Sequence, residues 1–256
     1  MKITFYKYQG TGNDFIIIDD RGSSFPRANN ELVAQLCDRK FGIGADGLML
    51  LKNSDSHDFE MVYFNANGHE GTMCGNGGRS LVQFAYDQKI IGDQTNFIAV
   101  DGEHDATITD VVSLGMGDVK EIIENSNGFF MDTGSPHHVE FVTGLNNFDV
   151  LGQGSDVRHS ERYAPSGTNV NFVEKTGENA IFVRTFERGV EDETLSCGTG
   201  VTACAISSVI RGMTSPIDVK VLGGQLSVSF DVENGTYTNI HLIGPAKFVF
   251  KGEIDA

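Results

Sequence analysis

A short pattern, Cys-Gly-x-Gly, occurs twice in this chain, and the two copies lie almost half the chain length apart. The first copy runs from Cys74 to Gly77 and the second from Cys197 to Gly200. Each copy follows a strand-like stretch after a short loop and opens an apolar stretch that reads as a helix. We call the two copies the first corner and the second corner. This repetition predicts two structurally similar domains.

The rest of the chain is rich in short strand-like segments. The sequence therefore predicts an α/β (α+β) fold with two pseudo-symmetric domains, each a mostly antiparallel curved sheet wrapped around a central apolar helix, with an active site in the cleft between the domains. The central helices are expected at residues 75–88 and 198–210. We expect an N-terminal domain over residues 1–118 and a C-terminal domain over residues 119–245, with a last strand at 246–256 that returns to the first domain.

Smaller features give more local expectations. Residues 106–112 alternate like a single strand, and the chain is expected to cross between domains near residues 117–128. Asn234-Gly235 is typical of a two-residue hairpin turn. The acidic run from Glu191 to Glu193 is expected to be a solvated loop.

Composition narrows the classes of partner. The chain has 256 residues and a formal net charge of −16, so it should repel nucleic acid and anionic membrane surfaces. It shows no signal-peptide pattern and no apolar run of transmembrane length, which makes the cytoplasm the expected compartment. The four cysteines form no Cys-x-x-Cys pair, so neither a metal site nor a disulfide framework is expected. Cys37 and Cys204 lie on apolar helix faces and should be core residues.

The corners combine two properties that suit acid–base chemistry. A helix N-terminus has unpaired N–H groups and a partial positive charge, and glycine lets a carboxylate approach closely. A cysteine at the same place has its thiolate stabilised, which lowers its pKa from about 8.5 toward neutrality. A single such cysteine is more often a small buried hydrophobic residue. Its duplication at matching positions favours two bases that act on opposite faces of one substrate carbon.

Seven motifs in order then carry a resemblance to the diaminopimelate epimerase family over essentially the whole chain. They are Lys7–Phe15, Phe41–Gly47, Phe64–Gly68 followed by Cys74–Arg79, Gly134–His137, Thr168–Val170, Glu187–Gly189 and Ser196–Gly200.

The resemblance implies interconversion of LL- and meso-2,6-diaminopimelate without pyridoxal phosphate or metal, in lysine biosynthesis and the supply of a peptidoglycan precursor. It implies Cys74 and Cys197 as the acid/base pair, with His137 and Glu187 beside the reacting centre. The non-reacting end of the substrate would be held by Asn13, Asn65, Asn169 and Arg188. Backbone donors to the reacting carboxylate would come from Gly75, Asn76, Gly198 and Thr199. A homodimer is implied by the resemblance alone.

Two positions depart from the family pattern. Ser135 stands where the family often has Asn, and Gly47 stands where some members carry Gln. The shorter side chain at position 135 is expected to lose a substrate hydrogen bond or to let water bridge it. No side-chain contact can be assigned to Gly47.

Some features of the sequence also allow other interpretations. Gly42-x-Gly44-x-x-Gly47 matches a dinucleotide-binding pattern, but a helix precedes it and a strand follows, which is the wrong context. A proline-racemase-like enzyme uses a similar cysteine pair and is the nearest enzymatic alternative. A non-enzymatic binding or thiol-redox protein that uses the two cysteines as a switch is the alternative from another class.

Overall fold

The computed structural model describes residues 1–255, in which it contains seventeen strands and four α-helices. The first half comprises β1 (Lys2–Gly10), β2 (Asn13–Asp19), α1 (Asn30–Cys37), β3 (Gly47–Lys52), β4 (Phe59–Asn65), α2 (Gly75–Asp87), β5 (Gln94–Ala99), β6 (Gly102–Ile108) and β7 (Val112–Met116). The second half comprises β8 (Ile122–Asn125), β9 (Gly128–Asp132), β10 (Pro136–Phe141), α3 (Val150–Arg158), β11 (Asn169–Lys175), β12 (Ala180–Glu187), β13 (Asp192–Thr194), α4 (Gly198–Ile210), β14 (Ile217–Val221), β15 (Gly224–Glu233), β16 (Thr236–Gly244) and β17 (Lys247–Asp255).

The chain divides into two compact units. The first unit consists of Met1–Leu114 together with the chain from Gly244 onward, and the second consists of Gly115–Ile243. The divisions therefore fall a few residues before the expected domain ends at 118 and 245. Strand β17 pairs antiparallel with β1 along its length, which makes it part of the first unit.

Strand pairing follows the same pattern in both units. In the first unit β1 to β7 pair in chain order as antiparallel, parallel, antiparallel, parallel, antiparallel and antiparallel neighbours. In the second unit β9, β10, β11, β12, β14, β15 and β16 repeat this series. The helices also fall at matching places, since each parallel pair is joined through a helix. The predicted two-domain α+β fold is confirmed.

The two predicted central helices are confirmed as α2 and α4, and both are largely buried. In α2 the side chains of Leu81, Val82 and Phe84 are fully buried. Helix α4 is buried from Gly198 to Ser208, and its apolar side chains belong to the core of the second unit. A helix buried all round needs small and apolar residues on every face. No helix among residues 1–255 is long and apolar enough to span a bilayer.

Local predictions have mixed outcomes. The Asn234-Gly235 turn is confirmed: both residues have positive φ (51° and 80°), and they join β15 to β16. The single strand expected at 106–112 is wrong, because a turn closed by Thr109 N–H and the Val111 carbonyl (3.1 Å) separates β6 from β7.

The expected crossing near residues 117–128 lies close to the division between the two units, which falls between Leu114 and Gly115; the stretch itself contains β8, which pairs antiparallel with β9. The acidic run is not a solvated loop, because Asp192 and Glu193 lie in β13. The Glu193 carboxylate is held there by both nitrogens of the Arg184 fork, Nε and Nη2, at 2.6 Å each.

Candidate active site

Each corner places its cysteine directly before a buried helix. Cys74 is the N-cap of α2 with φ −113° and ψ 115°, and Cys197 is the N-cap of α4 with φ −120° and ψ 112°. The backbone conformation is thus nearly the same at both. Each cysteine therefore lies next to the first backbone N–H groups of its helix, which have no hydrogen-bond partner within the helix. The local geometry that the sequence predicted for a poised thiol is present twice.

In the first corner, the Cys74 sulfur lies against an amide oxygen. Sγ of Cys74 is 3.7 Å from Oδ1 of Asn13, which also accepts from Nδ2 of Asn76 at 3.5 Å. The nitrogen of the Asn13 amide donates to the Asp46 carboxylate at 2.5 Å. Asn13, which was expected at the far end of the substrate, therefore lies in contact with Cys74.

Arg79 lies beneath this corner and is fully buried. Its Nη2 donates to Oδ1 of Asn76 at 2.9 Å, while its Nε has no hydrogen-bond partner. Burial lowers the pKa of Arg79 to about 10, and the nearby Cys74 opposes that shift. A buried cation is costly unless an anion or an oriented dipole faces it. The amide oxygen of Asn76 supplies such a dipole.

A group of charged side chains continues from Asp46 toward the surface. Arg39 bridges Asp46 and Asp14 through one nitrogen, at 2.7 Å and 2.6 Å. Lys7 pairs with Asp14 at 2.7 Å and donates to the Gly44 carbonyl. Although burial would raise the pKa of Asp14, its hydrogen bonds with Arg39 and Lys7 lower it to about 2. Asp14 is thus held as a carboxylate next to Asn13.

In the second corner, Cys197 contacts a hydroxyl group. Its sulfur is 3.4 Å from Oγ1 of Thr199. That hydroxyl lies 2.9 Å from Nε2 of His137, whose Nδ1 is 3.1 Å from the amide nitrogen of Asn171. His137 has no exposed surface. His137, which was expected beside the reacting centre, is thus linked to Cys197 through Thr199.

Burial and the positive charge of Arg188 lower the pKa of His137 to about 3. The imidazole is consequently neutral throughout the pH range in which a thiol could act. The neutral, fully buried ring contacts the Thr199 hydroxyl beside Cys197.

The same pKa shift predicts an acid-dependent loss of stability. The unfolded chain protonates His137 near pH 6.5, whereas the folded protein does so only near pH 3. As the pH falls through that interval the unfolded state binds the proton first, so the free energy of unfolding should fall by about 1.4 kcal/mol per pH unit from this residue. Urea unfolding of wild type and His137→Gln at pH 7, 6, 5 and 4 measures the effect. The free energy of unfolding should fall less steeply with decreasing pH in the variant than in wild type. Equal slopes for the two proteins would contradict this role of His137.

The remaining predicted residues of the second unit form one hydrogen-bonded group. Asn169 donates to the Pro136 carbonyl at 3.1 Å and to Oγ of Ser135 at 3.3 Å, and its Oδ1 accepts from the Arg188 N–H at 2.9 Å. Oγ of Ser135 also lies 3.1 Å from the Thr199 hydroxyl. Serine at position 135 thus bonds to the corner itself. Glu187 and Arg188 are half-buried at the end of β12.

Gly47 leaves no space for the longer side chain that some family members carry. A Cβ atom there would lie 2.5 Å from the Tyr63 ring and 2.6 Å from the Phe64 carbonyl oxygen. Tyr63 lies two residues before Asn65 on β4, on the same face of the strand. The phenol ring of Tyr63 therefore occupies the volume beside residue 47. Asn65 is exposed at the end of this strand.

The other two cysteines are core residues, as predicted. Cys37 is 3% exposed and Cys204 is 0% exposed. Burial raises the pKa of Cys37 to about 12 and that of Cys204 well above its usual range. Both are neutral thiols, and they provide matched controls for the corner cysteines.

Comparison with known proteins gives a consistent result. A profile of the diaminopimelate epimerase family matches residues 5–122 and 129–249. The diaminopimelate epimerase of Flavobacterium psychrophilum is 55% identical over 253 residues, which cover 97% of this chain and 99% of that protein. The chain belongs to the diaminopimelate epimerase family. The enzyme of the same name from Chlorobaculum tepidum is 44% identical, with 96% of this chain and 98% of that protein covered.

Solved structures at low identity share the fold with this epimerase-family chain. A phenazine biosynthesis protein of the PhzF family from Bacillus anthracis has a TM-score of 0.78 at 15% identity, with both chains fully covered. A hydroxyproline epimerase from Agrobacterium vitis has a TM-score of 0.72 at 13% identity, covering 99% of this chain and 92% of that one. The family profile, rather than these structures, separates the chain from the proline-racemase-like alternative.

Several residues around the corners were not identified from the sequence. They are Asp46, Arg79, Asn171 and Thr185, together with Thr133, whose hydroxyl donates to the Thr199 carbonyl at 2.8 Å. Asn171 could have been found, because it lies two residues after Asn169 on the same strand and therefore on the same face. Asp46 and Arg79 lie within quoted motifs, but nothing in the sequence indicates that they orient Asn13 and Asn76.

Proposed function

We propose that this chain, as a diaminopimelate epimerase, inverts one stereocentre of 2,6-diaminopimelate by moving a proton between substrate and the two cysteines Cys74 and Cys197. The observation that carries the proposal is the repeated corner: two thiols with the same backbone conformation, each at the start of a buried helix. One helix start is a common feature, whereas a matched pair in two similar units suits a reaction that needs two opposed acid–base groups.

The chemistry needs both groups at once. One thiolate removes the Cα proton of the reacting amino-acid end, and the other thiol delivers its own proton to the opposite face of that carbon. The product has the inverted configuration, and the two sulfurs have exchanged protonation states. Return to the starting state needs only proton exchange with solvent. Because both groups come from the chain, the proposed reaction needs neither pyridoxal phosphate nor a metal ion.

The weak acidity of an amino-acid Cα–H is the main barrier to this step. Removing the proton places negative charge on the α-carboxylate, which becomes enediolate-like. Backbone N–H groups of Gly75 and Asn76 at one helix start, and of Gly198 and Thr199 at the other, are the donors that we assign to this charge. Preorganised donors of this kind lower the barrier because they require no reorientation during the reaction.

The second amino-acid end of the substrate needs a cation and neutral polar groups. We assign Asn65, Asn169 and Arg188 to it, since an arginine fork matches a carboxylate. We assign Asn13 to the reacting end of the substrate instead, because its contact with the Cys74 sulfur supports that position. Glu187 we assign to the α-amino group, and His137 acts on Cys197 through Thr199.

The cellular setting is also a proposal. The reaction links the LL and meso isomers in lysine biosynthesis and supplies a peptidoglycan precursor. A reducing compartment, the cytoplasm, suits an enzyme that depends on two free thiols. A homodimer is supported by three consecutive exposed apolar residues, Phe248, Val249 and Phe250, on β17.

Solvent isotope incorporation tests the two-base reaction. In D₂O, with LL-diaminopimelate and conversion kept low, the meso product should carry one deuterium at the inverted carbon while recovered substrate stays unlabelled. The reason is that the delivered proton comes from a cysteine equilibrated with solvent, and the removed proton stays on the other cysteine. Mass spectrometry of both isomers gives the result. Equal labelling of substrate and product at the earliest times would reject two separate bases.

A further inference from the structure

The amide of Asn171 has one orientation that suits its neighbours. Its nitrogen lies 2.9 Å from the His138 carbonyl oxygen, which can only accept, and its oxygen accepts from the Thr185 hydroxyl at 3.0 Å. The same nitrogen is 3.1 Å from Nδ1 of His137. Since an amide nitrogen donates, Nδ1 must accept. The single ring proton of neutral His137 is therefore on Nε2.

The amide of Asn169 is also fixed in orientation, and its nitrogen donates toward the hydroxyls that lead to Cys197. The oxygen of Asn169 accepts from a backbone N–H, that of Arg188, so its nitrogen is the atom that faces Oγ of Ser135 at 3.3 Å. The single Nε2 proton of His137 is shared between that same oxygen at 3.0 Å and Oγ1 of Thr199 at 2.9 Å. The proton of the Ser135 hydroxyl is left to point at Oγ1 of Thr199, which is 3.1 Å away.

Thr199 is the last hydroxyl in this series. It receives hydrogen bonds from Ser135 and from Nε2 of His137, at 3.1 Å and 2.9 Å. Its own proton then points to the Cys197 sulfur at 3.4 Å. A donated hydrogen bond stabilises a thiolate more than a thiol, because a charged acceptor makes the stronger bond.

The first corner has the opposite polarity. The Asp46 carboxylate can only accept, so the nitrogen of Asn13 faces Asp46 and the oxygen of Asn13 faces Cys74. Asn76 supports this orientation: its oxygen accepts from Arg79, and its nitrogen turns toward Asn13. An oxygen held 3.7 Å from the Cys74 sulfur accepts from a thiol and disfavours a thiolate.

Charges near the corners also act on the two thiols. Around the first corner Lys7 and Arg39 are paired with the carboxylates of Asp14 and Asp46. Arg79 is the third cation there; it attracts negative charge on Cys74, and the amide oxygen of Asn76 faces its Nη2. Around the second corner His137 is neutral, and the positive charge of Arg188 is near enough to help lower the pKa of that ring. The hydrogen-bonding groups in contact with the sulfurs, Asn13 at Cys74 and Thr199 at Cys197, act at shorter range than these charges.

We propose that Asn171 and Asp46 are positioning residues which give the two corners opposite hydrogen-bond polarity, so that the resting enzyme holds Cys197 as the thiolate and Cys74 as the thiol. This inference rests on the proposed two-cysteine reaction and makes it specific. In the first half-reaction Cys197 takes the Cα proton and Cys74 gives its proton to the opposite face. The enzyme is then left with Cys197 as thiol and Cys74 as thiolate, and exchange with solvent restores the resting state.

The tautomer of His137 is the most direct readout for Asn171. In protein labelled with ¹⁵N-histidine, two-bond ¹H–¹⁵N correlation spectra at pH 7 should show His137 neutral with its proton on Nε2. His137→Gln assigns the signal by its loss. A proton on Nδ1, or a charged ring, would overturn the inference, because Asn171 would then not direct the series toward Cys197.

Thiol titration tests the consequence at each sulfur. Iodoacetamide labelling from pH 5 to 10, read separately for the two cysteine-containing peptides, should give a lower midpoint for Cys197 than for Cys74. Thr199→Val should cut the Cys197 thiolate fraction at neutral pH about tenfold and leave Cys74 unchanged. Thr202→Val is the matched control, because that hydroxyl bonds to the Gly198 carbonyl within the same helix at 3.2 Å. A lower midpoint for Cys74 would contradict the assignment.

Two substitutions separate orientation from charge at Asp46. Asp46→Ala frees the Asn13 amide to turn its nitrogen toward Cys74, so the midpoint of Cys74 should fall. Asp46→Asn removes the same charge but keeps an oxygen for Asn13, so its midpoint should stay close to wild type. Asp19→Ala removes a comparable carboxylate–arginine pair away from the corner and serves as the control. Equal shifts for Asp46→Ala and Asp46→Asn would show a charge effect and reject the positioning role.

These measurements need no turnover, so the two proposals can fail separately. If the serine variants of both cysteines remain active, the two-cysteine reaction is wrong. If they are inactive and the midpoints come in the reverse order, only the resting protonation state is wrong.

Discussion

Replacement of either Cys74 or Cys197 with serine is expected to lower epimerase turnover about 10³-fold, because general acid–base groups contribute in this range. Serine keeps the shape of the side chain, but its hydroxyl is far too weak an acid to form an anion at a helix start near neutral pH. Each variant thus loses one of the two required proton-transfer groups. Rates of LL to meso conversion, measured by chromatographic separation of the isomers, give the effect for each variant.

Cys37→Ala and Cys204→Ala are the controls for these variants. Both residues are buried cysteines, but neither lies at the start of a helix. Each should lose stability through a small cavity, by about 1 kcal/mol, and retain wild-type turnover in the folded protein. A corner-cysteine variant with more than a tenth of wild-type turnover would contradict the two-base reaction, and so would an inactive but folded Cys37→Ala.

Gly200→Ala is expected to destabilise the protein by about 1–3 kcal/mol and to reduce activity, through overpacking of the second corner. A Cβ at this position would lie 2.4 Å from Oδ1 of Asn171 and 3.2 Å from the His137 ring. The Asn171 amide cannot simply rotate away, since it bonds to both Thr185 and the His138 carbonyl. Thermal or urea unfolding and the steady-state rate measure the two effects.

Gly77→Ala is the matched control in the first corner, at the equivalent position of the repeated pattern. There the new Cβ would lie 3.1 Å from the Met49 sulfur and 3.4 Å from Cβ of Cys74. Methionine is flexible enough to move by a few tenths of an ångström, and alanine is favoured over glycine within a helix. The stability of Gly77→Ala should therefore stay within about 1 kcal/mol of wild type. Similar losses in the two variants would mean that Asn171 imposes no special constraint.

The sequence was informative where structure depends on neighbouring residues. Helices α2 and α4 were predicted because apolar periodicity, glycine and a helix-start residue occur together within a few positions. Helix α3 was missed, since Gly152 and Gly154 lower its helical propensity. The structure explains Gly154: a Cβ there would lie 2.4 Å from Phe186, so a close approach to β12 requires glycine.

Site residues were predictable to the extent that they lie in the repeated pattern or the family motifs. The location of Asn13 beside Cys74 could not be predicted, because this contact joins two segments that are 61 residues apart in the chain. The consequence of the departure at Gly47 was equally hidden, since only the structure brings the Tyr63 ring beside it.

By itself, the sequence determined that this chain has two similar halves, that each half starts a buried helix at a cysteine, and that the whole belongs with the diaminopimelate epimerases. Those conclusions follow from local interactions and from patterns along the chain. The tertiary structure alone decided which groups face each sulfur: the Thr199 hydroxyl at Cys197 and the Asn13 amide oxygen at Cys74. The physical reason is that an amide or an imidazole presents either a donor or an acceptor, and partners far away in sequence choose between them.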